Sequence, residues 1–410
     1  MKIALLGYGK EGKSAEKYFN NRFPDAKIDI FENFTNDEIK QKDYSSYDII
    51  IRSPSVHPLG LANESSVTQY FFDHCSCPII AVTASKGKGT ICSIIKSLLD
   101  ALNINAYLVG NIGVPALDIL DSLPKDSVVI YEISSFQLWN LTRSPHIAVL
   151  GILEPEHLNI HDSYEDYLTA KSHIFAYQSK DDYLIYNSEN ETTAKLVANA
   201  VAKKIPYPFS TKSDILNELK LPGSHNQANA LAAIAAVASF LNISPNEYLS
   251  KFTPQIKSGL HNFTGLPHRL KFLRELNGVR YYDDNLSTTE FSLSAAVKSF
   301  PNDNLVIIVG GRDKTANADL PKIVETLNSN NVKKVILIGE SGHAIYQNYQ
   351  DPRFTVATTL KEAVTLAKAA TEKIAPSILL MSPAAASFDM FKNAYDRGAK
   401  FEDLVKNLMP

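Results

Sequence analysis

At 410 residues the chain has material for roughly two to four domains, each with a core of its own. Hydrophobic residues make up 45% and charged residues 21%, which excludes a disordered or fibrous chain. Lys and Arg number 41 against 44 Asp and Glu, a net charge of −3, so no general attraction to nucleic acid or an anionic membrane is expected and any phosphate must be gripped locally. Cys75, Cys77 and Cys92 cannot build a disulfide framework, and the apolar run after Met1 is too short for a signal peptide, so a cytoplasmic protein is expected.

In chain order, predicted strands at Lys2–Leu6, Ile28–Phe31 and Asp48–Arg52, with a helical stretch at Lys13–Phe19, read as β-α-β units. The run Ile79–Thr83 leads through a Gly/Lys loop into Ile91–Leu102, whose apolar residues 91, 94, 95, 98 and 99 have helical spacing. Strands at Ala106–Val109, Ser127–Ile133, Ile147–Ile152 and Asp182–Tyr186 follow, then an Ala-rich helix at Asn226–Leu241. After the turn-rich Thr264–Pro267, strands at Val279–Asp283, Leu305–Val309, Lys334–Ile338 and Ser377–Met381 alternate with helical segments. The alternation predicts an α/β fold with mostly parallel sheets. Three domains are expected: Rossmann-like over 1–78, a central P-loop ATPase-type parallel sheet over 79–264, and Rossmann-like again over 265–410.

Gly7-Tyr8-Gly9-Lys10-Glu11-Gly12 is a G-x-G-x-x-G turn after the first strand, and Glu32 ends the second strand 20 residues beyond Gly12. Such a turn admits a diphosphate close to a helix N-terminus, or it is a tight β-α turn that binds nothing. Thr83-Ala84-Ser85-Lys86-Gly87-Lys88-Gly89-Thr90 is the stronger signal, because backbone N–H groups between a strand and a helix converge on an anion. Lys88 can then reach terminal phosphates, and Thr90 is the nearest hydroxyl for Mg²⁺, since Gly89 stands where Ser or Thr normally follows the lysine. Glu132 ends an apolar strand, the usual address of a metal-holding carboxylate behind a phosphate loop. His157, in Glu154-Pro155-Glu156-His157, follows the next strand, and Lys171 lies in the helix-like Tyr167–Phe175.

The order of these motifs resembles the ATP-dependent Mur ligases of peptidoglycan synthesis, with folylpolyglutamate synthase as a wider relative. It is carried by the phosphate loop, Gly110-Asn111-Ile112-Gly113, Glu132, Pro155-Glu156-His157, Lys171, Pro222–Asn229, Pro267-His268-Arg269-Leu270, Asp284 and Gly310-Gly311-Arg312-Asp313-Lys314. Ser134–Leu138 and Ser382–Asn393 look most like the D-glutamate-adding members.

The resemblance implies that ATP phosphorylates a carboxylate of UDP-N-acetylmuramoyl-L-alanine and that the amine of D-glutamate attacks the acyl phosphate. It implies ATP binding by Ser85, Lys86, Gly87, Lys88, Gly89, Thr90, Asn226, Arg269 and Asp284, and Mg²⁺ binding by Thr90, Glu132, His157 and Lys171. Lys88, His157 and Lys171 would be the catalytic set, with Lys171 at the position the family carbamylates. The precursor would meet Gly9, Glu32, Ser53, Asn111 and Gln137, and the incoming glutamate Lys314, Ser387 and Phe388. Three alternatives stand beside this reading: an amide ligase of the wider family with another amino acid or acceptor, an NAD-dependent oxidoreductase resting on the first glycine turn, and a weakly catalytic nucleotide-binding regulator. Asp73-His74-Cys75-Ser76-Cys77 has metal-ligand chemistry but no second Cys/His pair, so an ordinary loop is expected there.

Overall fold

The computed structural model describes residues 1–158, 160–211, 213–312 and 319–409. Three sheets are present among them. The first contains β1 (Lys2–Leu6), β2 (Lys27–Phe31), β3 (Ile49–Arg52) and β4 (Glu64–Ser66), all parallel, in the order β2-β1-β3-β4. The second contains β5 (Ile79–Thr83), β6 (Ala106–Gly110), β7 (Val128–Glu132), β8 (Ile147–Leu150), β9 (Tyr183–Asn187) and β10 (Lys203–Tyr207), parallel throughout in the order β10-β9-β8-β5-β7-β6. The third contains β11 (Lys271–Leu276), β12 (Val279–Asp283), β13 (Asn304–Gly310), β14 (Val332–Ile338), β15 (Phe354–Val356) and β16 (Ser377–Met381), in the order β11-β12-β16-β13-β14-β15. Only β11, on the edge of this sheet, runs antiparallel to its neighbour.

By their contacts, Met1–Glu218 and Ala228–Asn262 form one compact unit, and Leu219–Gln227 with Phe263–Pro410 a second. The first unit therefore holds the first two sheets. Every residue of β5, β7 and β16 is buried, as befits parallel strands covered on both faces, and this explains why they read as continuous apolar runs rather than alternating ones.

The helix after β5 runs from Lys88 to Ala101, three residues earlier than the apolar periodicity begins. Its first turn, Lys88-Gly89-Thr90, has no core-facing residue, so the hydrophobic pattern is silent there. Beyond it Ile91, Ile94, Ile95, Leu98 and Leu99 are all fully buried, each contributing roughly 1.5–3 kcal/mol. Among the described residues no single helix is long and apolar enough to cross a membrane.

In the second sheet the chain goes from β5 out to β6, back to β7, and then to β8 on the other side of β5. This reversal puts the loops after β5, β7 and β8 side by side at the C-terminal ends of their strands, where open α/β sheets bind ligands. Hydrogen bonds continue past the strands: Ile133 N donates to Val82 O at 3.0 Å, Gly151 N to Thr83 O at 2.9 Å, and Ser85 N to Ile152 O at 2.8 Å.

Candidate active site

In the first glycine turn, Gly7 has φ +83° and a Cβ there would come within 2.1 Å of Ser53 Oγ; one on Gly12 would come within 2.2 Å of the Gly7 carbonyl oxygen. Packing alone requires these two glycines. A Cβ on Gly9 would meet nothing within 4 Å, so the space before the helix Lys10–Arg22 is open at this residue, its N-cap. Ser53 follows β3 and is buried, with its N–H on Leu6 O, and Glu32 is exposed at the end of β2. Gly9, Glu32 and Ser53 thus sit at the ends of three adjacent strands.

The second turn is built around two lysines. Gly87 caps the helix Lys88–Ala101 at φ +88°, and a Cβ there would lie 2.7 Å from Asn229 Oδ1. Lys88 Nζ donates to Ala84 O at 2.7 Å and Ser85 O at 3.0 Å. Lys171, on the helix Tyr164–Ser172, is 2% exposed and donates to Thr83 Oγ1 at 3.0 Å and to the same Ala84 O at 3.1 Å. Two amines therefore converge on one carbonyl oxygen. Burial first, and then Lys88, hold the Lys171 amine well below its usual range, with Glu156 opposing.

Neighbouring groups lock this arrangement. Ser85 Oγ accepts from Glu154 N at 2.8 Å and lies 2.6 Å from Tyr167 OH, while Lys86 pairs with Glu154 at 3.2 Å. Glu132 is buried at the end of β7, and its carbonyl accepts from the N–H of exposed Asn111 at 3.1 Å. His157 is exposed on one side, has φ +57° and lies 4.9 Å from the Phe136 ring; partial burial lowers its pKa, with Glu156 opposing and Lys88, Lys171 and His161 adding to the lowering. Gly89 and Thr90 occupy the first helical turn, half-buried.

Ser134 caps the short helix Ser135–Leu138 in a capping box with Gln137. Gln137, expected to meet the precursor, is instead 1% exposed: its Oε1 accepts from Ser134 N at 2.8 Å and its Nε2 donates to Glu11 Oε1 at 2.6 Å. It holds the turn together because burial makes its amide satisfy backbone and side-chain partners. Burial pushes Glu11 up to about 7, opposed by the Gln137 hydrogen bond and by Arg52.

In the second unit, Asp284 follows β12. Its Oδ2 accepts from Ser382 Oγ at 2.8 Å and its Oδ1 from Leu270 N at 3.1 Å, and burial raises it to about 7 against these bonds. Arg269 is exposed beside this segment. Asn226 is buried and donates to Pro222 O at 2.8 Å. Ser387 is 1% exposed, whereas Phe388 is 60% exposed, so only the ring presents itself to solvent. Lys314 and Asp313 lie outside the described residues. His268, Asp283 and Glu402 bring their ligand atoms within 4.8 Å of one another, but Lys271 on Glu402 at 2.8 Å and Asn285 on Asp283 balance the cluster with hydrogen bonds.

Several residues to which the sequence gives no role hold the site's surroundings together: Tyr167 on Ser85, His161 between Ser135 and Asp166, and the fully buried Arg397, which donates to Asn285 and to Ala385 O. All make contacts across long sequence separations, and no local pattern signals them. His74, Cys75 and Cys77 each have protein partners, and burial pushes the Cys75 thiol up to about 11.

A family model described as the Mur ligase middle domain matches residues 82–218. The UDP-N-acetylmuramoylalanine–D-glutamate ligase of Symbiobacterium thermophilum is 35% identical over 368 residues, covering 82% of this chain and 77% of its own. That of Acetivibrio thermocellus is 32% identical over 405 residues, covering 88% and 83%. Among solved structures, the MurF ligase of Thermotoga maritima in complex with ADP is similar at a TM-score of 0.58 with 15% identity, over 88% of this chain and 90% of its own; it shares the fold. The chain belongs to the Mur ligase family and is a ligase. Within that family, the relatives that it matches over most of its length add D-glutamate, as their names say.

Proposed function

We infer that the protein joins D-glutamate to UDP-N-acetylmuramoyl-L-alanine at the expense of ATP, in peptidoglycan precursor synthesis. The two relatives above 30% identity support the choice of substrates. The convergence of Lys88 and Lys171 on the Ala84 carbonyl is the observation that carries the chemistry. Lys88 brings a positive charge to the phosphate turn at the C-terminal end of β5, and Lys171 stands beside it with its uncharged amine favoured by burial.

Three functional regions follow from this reading: 1–78 for the UDP precursor, 79–264 for ATP and 265–410 for the amino acid. Lys88 neutralises the terminal phosphates, within the turn Ser85-Lys86-Gly87-Lys88-Gly89-Thr90. The precursor carboxylate attacks the γ-phosphoryl group, ADP leaves, and the glutamate amine then displaces phosphate from the acyl phosphate. The protein's part in both steps is positioning and charge neutralisation. Gly9, Glu32, Ser53 and Asn111 are assigned to the precursor, with Gln137 acting through Glu11; Asn226, Arg269 and Asp284 to the nucleotide; Lys314, Ser387 and Phe388 to D-glutamate.

The donor set also fits Mg²⁺, which takes oxygen ligands: the Glu132 carboxylate and Thr90 hydroxyl, with His157 alongside. When bound, the ion would supply charge to the phosphoryl oxygens. An ammonium cannot be a ligand, but the surroundings of Lys171 favour its uncharged amine, the form that adds CO₂ to give a carbamate. We therefore assign a carbamate to Lys171. The reading calls for no nucleic acid or membrane partner and places the reaction in the cytoplasm, where ATP is available.

Phosphate release, measured with the UDP precursor and a panel of D- and L-amino acids, tests the assignment. It should require both the precursor and D-glutamate. Turnover of L-glutamate on a folate acceptor, with none on the UDP precursor, would overturn it in favour of the folylpolyglutamate branch.

A further inference from the structure

His161 is fully buried, yet both its ring nitrogens are engaged. Nδ1 lies 2.7 Å from Asp166 Oδ2, and Nε2 lies 2.9 Å from Ser135 Oγ. With the carboxylate as acceptor, Nδ1 carries the proton and Nε2 accepts from the Ser135 hydroxyl, so a neutral imidazole satisfies both partners. The ring lies parallel to Phe136 with centroids 5.3 Å apart, meets Trp139 at 4.9 Å, and stands edge-on to Tyr167 at 5.4 Å. These contacts fix the ring plane as well as its hydrogen bonds.

The significance lies in what each partner carries. Ser135 begins the helix three residues after Glu132. Asp166 is on the helix that bears Lys171, and that helix is docked on the phosphate turn through Tyr167 and Lys171. The His161 backbone N–H donates to the His157 carbonyl at 2.9 Å. One residue is therefore bonded to the segment after Glu132, to the helix of Lys171 and to His157 itself. A triad of Ser, His and carboxylate invites a nucleophilic reading, but Ser135 is 2% exposed and no substrate could reach it.

We propose that His161 is a positioning residue that sets Glu132, His157 and Lys171 relative to one another, so that they can hold a divalent cation. The proposal rests on the ligase reading for its metal. A neutral imidazole offers one donor and one acceptor in line, and a glutamine side chain offers the same pair. His161→Phe keeps the stacking and deletes both hydrogen bonds; His161→Gln keeps a donor and an acceptor.

The decisive measurement is Mn²⁺ binding to the full chain in the presence of ADP, followed by electron paramagnetic resonance, beside steady-state kinetics. Outer partners of metal ligands are typically worth about 10–100-fold in affinity or activity. His161→Phe should lose that much in Mn²⁺ affinity and in kcat, with the KM for ATP within about threefold of wild type, while His161→Gln should recover most of the loss. Wild-type Mn²⁺ affinity in His161→Phe, or a glutamine variant as impaired as the phenylalanine one, overturns the proposal. Should His161→Phe fail to fold, Asp166→Ala at a half-exposed position decides: weaker Mn²⁺ binding supports the clamp and unchanged binding refutes it. A wild-type protein that binds Mn²⁺ and ADP but releases no phosphate with D-glutamate would defeat the assigned reaction and leave the test of His161 standing.

Discussion

Two strand-turn-helix junctions in the N-terminal unit share a plan and differ in charge. After β1, Gly9 leaves the space before a helix N-terminus open, and the first turn of that helix carries an acid, Glu11, pushed up to about 7 by burial. After β5, Gly87 caps another helix N-terminus, with Asn229 in the space a Cβ would take, and two lysine amines meet at the Ala84 carbonyl. Burial drives Glu11 and Lys171 towards neutrality, because desolvation penalises whichever form is charged. The difference lies in what each can receive. At the second turn Lys88 can meet a triphosphate while a carbamate on Lys171 meets the accompanying cation, whereas a turn beside a near-neutral acid suits a ligand of lower charge density that also offers hydrogen-bond donors. The same backbone geometry thus serves two ligands, and the buried side chains decide between them.

The sharpest way to break this comparison is to remove the amines. Lys171→Ala should be nearly inactive though folded, and Lys171→Arg should fail as well, because a guanidinium cannot become a carbamate. Acetate diffusing into the alanine variant should restore part of the rate by supplying oxygen ligands. Titrating acetate into the alanine variant, with nucleotide binding measured on both, is the check; full activity in Lys171→Arg would eliminate the carbamate. Lys88→Ala comes next. Losing one electrostatic stabiliser costs on the order of 10²-fold or more in turnover. A wild-type rate in that variant would show that the second turn does not hold ATP.

Much of the second junction is legible in the primary structure, and the reason is physical. β5 and β7 are buried on both faces, so their residues must be apolar throughout, and polar Lys88, Glu132 and His157 stand out where the runs end. β1, β5, β12 and β16 are readable to the residue for the same reason. Short β4, Glu64-Ser65-Ser66, is invisible, since it pairs on one side only and carries no apolar run. β11 is equally hard to see: half-buried throughout or exposed, it pairs as an edge. The Lys171 position is recognisable through the family motif, but its burial, and its sharing of the Ala84 carbonyl with Lys88, depend on residues more than 80 positions away. The role of His161 is hidden in the same way, because 26 residues separate it from Ser135.

A smaller effect is expected from Thr90, half-buried in the first turn of its helix. Thr90→Val preserves shape and deletes the hydroxyl that Gly89 cannot replace. It should raise the Mg²⁺ concentration needed for half-maximal rate, by roughly 10-fold if that oxygen is a ligand, with little change in melting temperature. An unchanged Mg²⁺ dependence would assign the ion to Glu132 and water on this side, leaving the amines as the defining feature of the second turn.

The smallest effect concerns the first junction and appears as stability rather than rate. Glu11 rises from 4.5 to about 7 on folding, so the native protein holds a proton that the unfolded chain has released between these values. Stability must therefore fall as pH rises through that window, by up to about 3 kcal/mol at roughly 1.4 kcal/mol per pH unit. Glu11→Gln keeps an acceptor for Gln137 Nε2 and removes the titration. The variant's melting temperature, relative to wild type, should climb between pH 5 and pH 8 by about 3 °C, at roughly 1 °C per kcal/mol for a chain of 410 residues. Asp284, raised to about 7 by its own burial, titrates in both proteins and so cancels in the difference. Thermal melts of the two proteins at pH 5, 6, 7 and 8 measure it. A difference that stays flat would mean that Arg52 keeps Glu11 ionised throughout, and the first turn would then present a fixed negative charge rather than a near-neutral acid beneath its ligand.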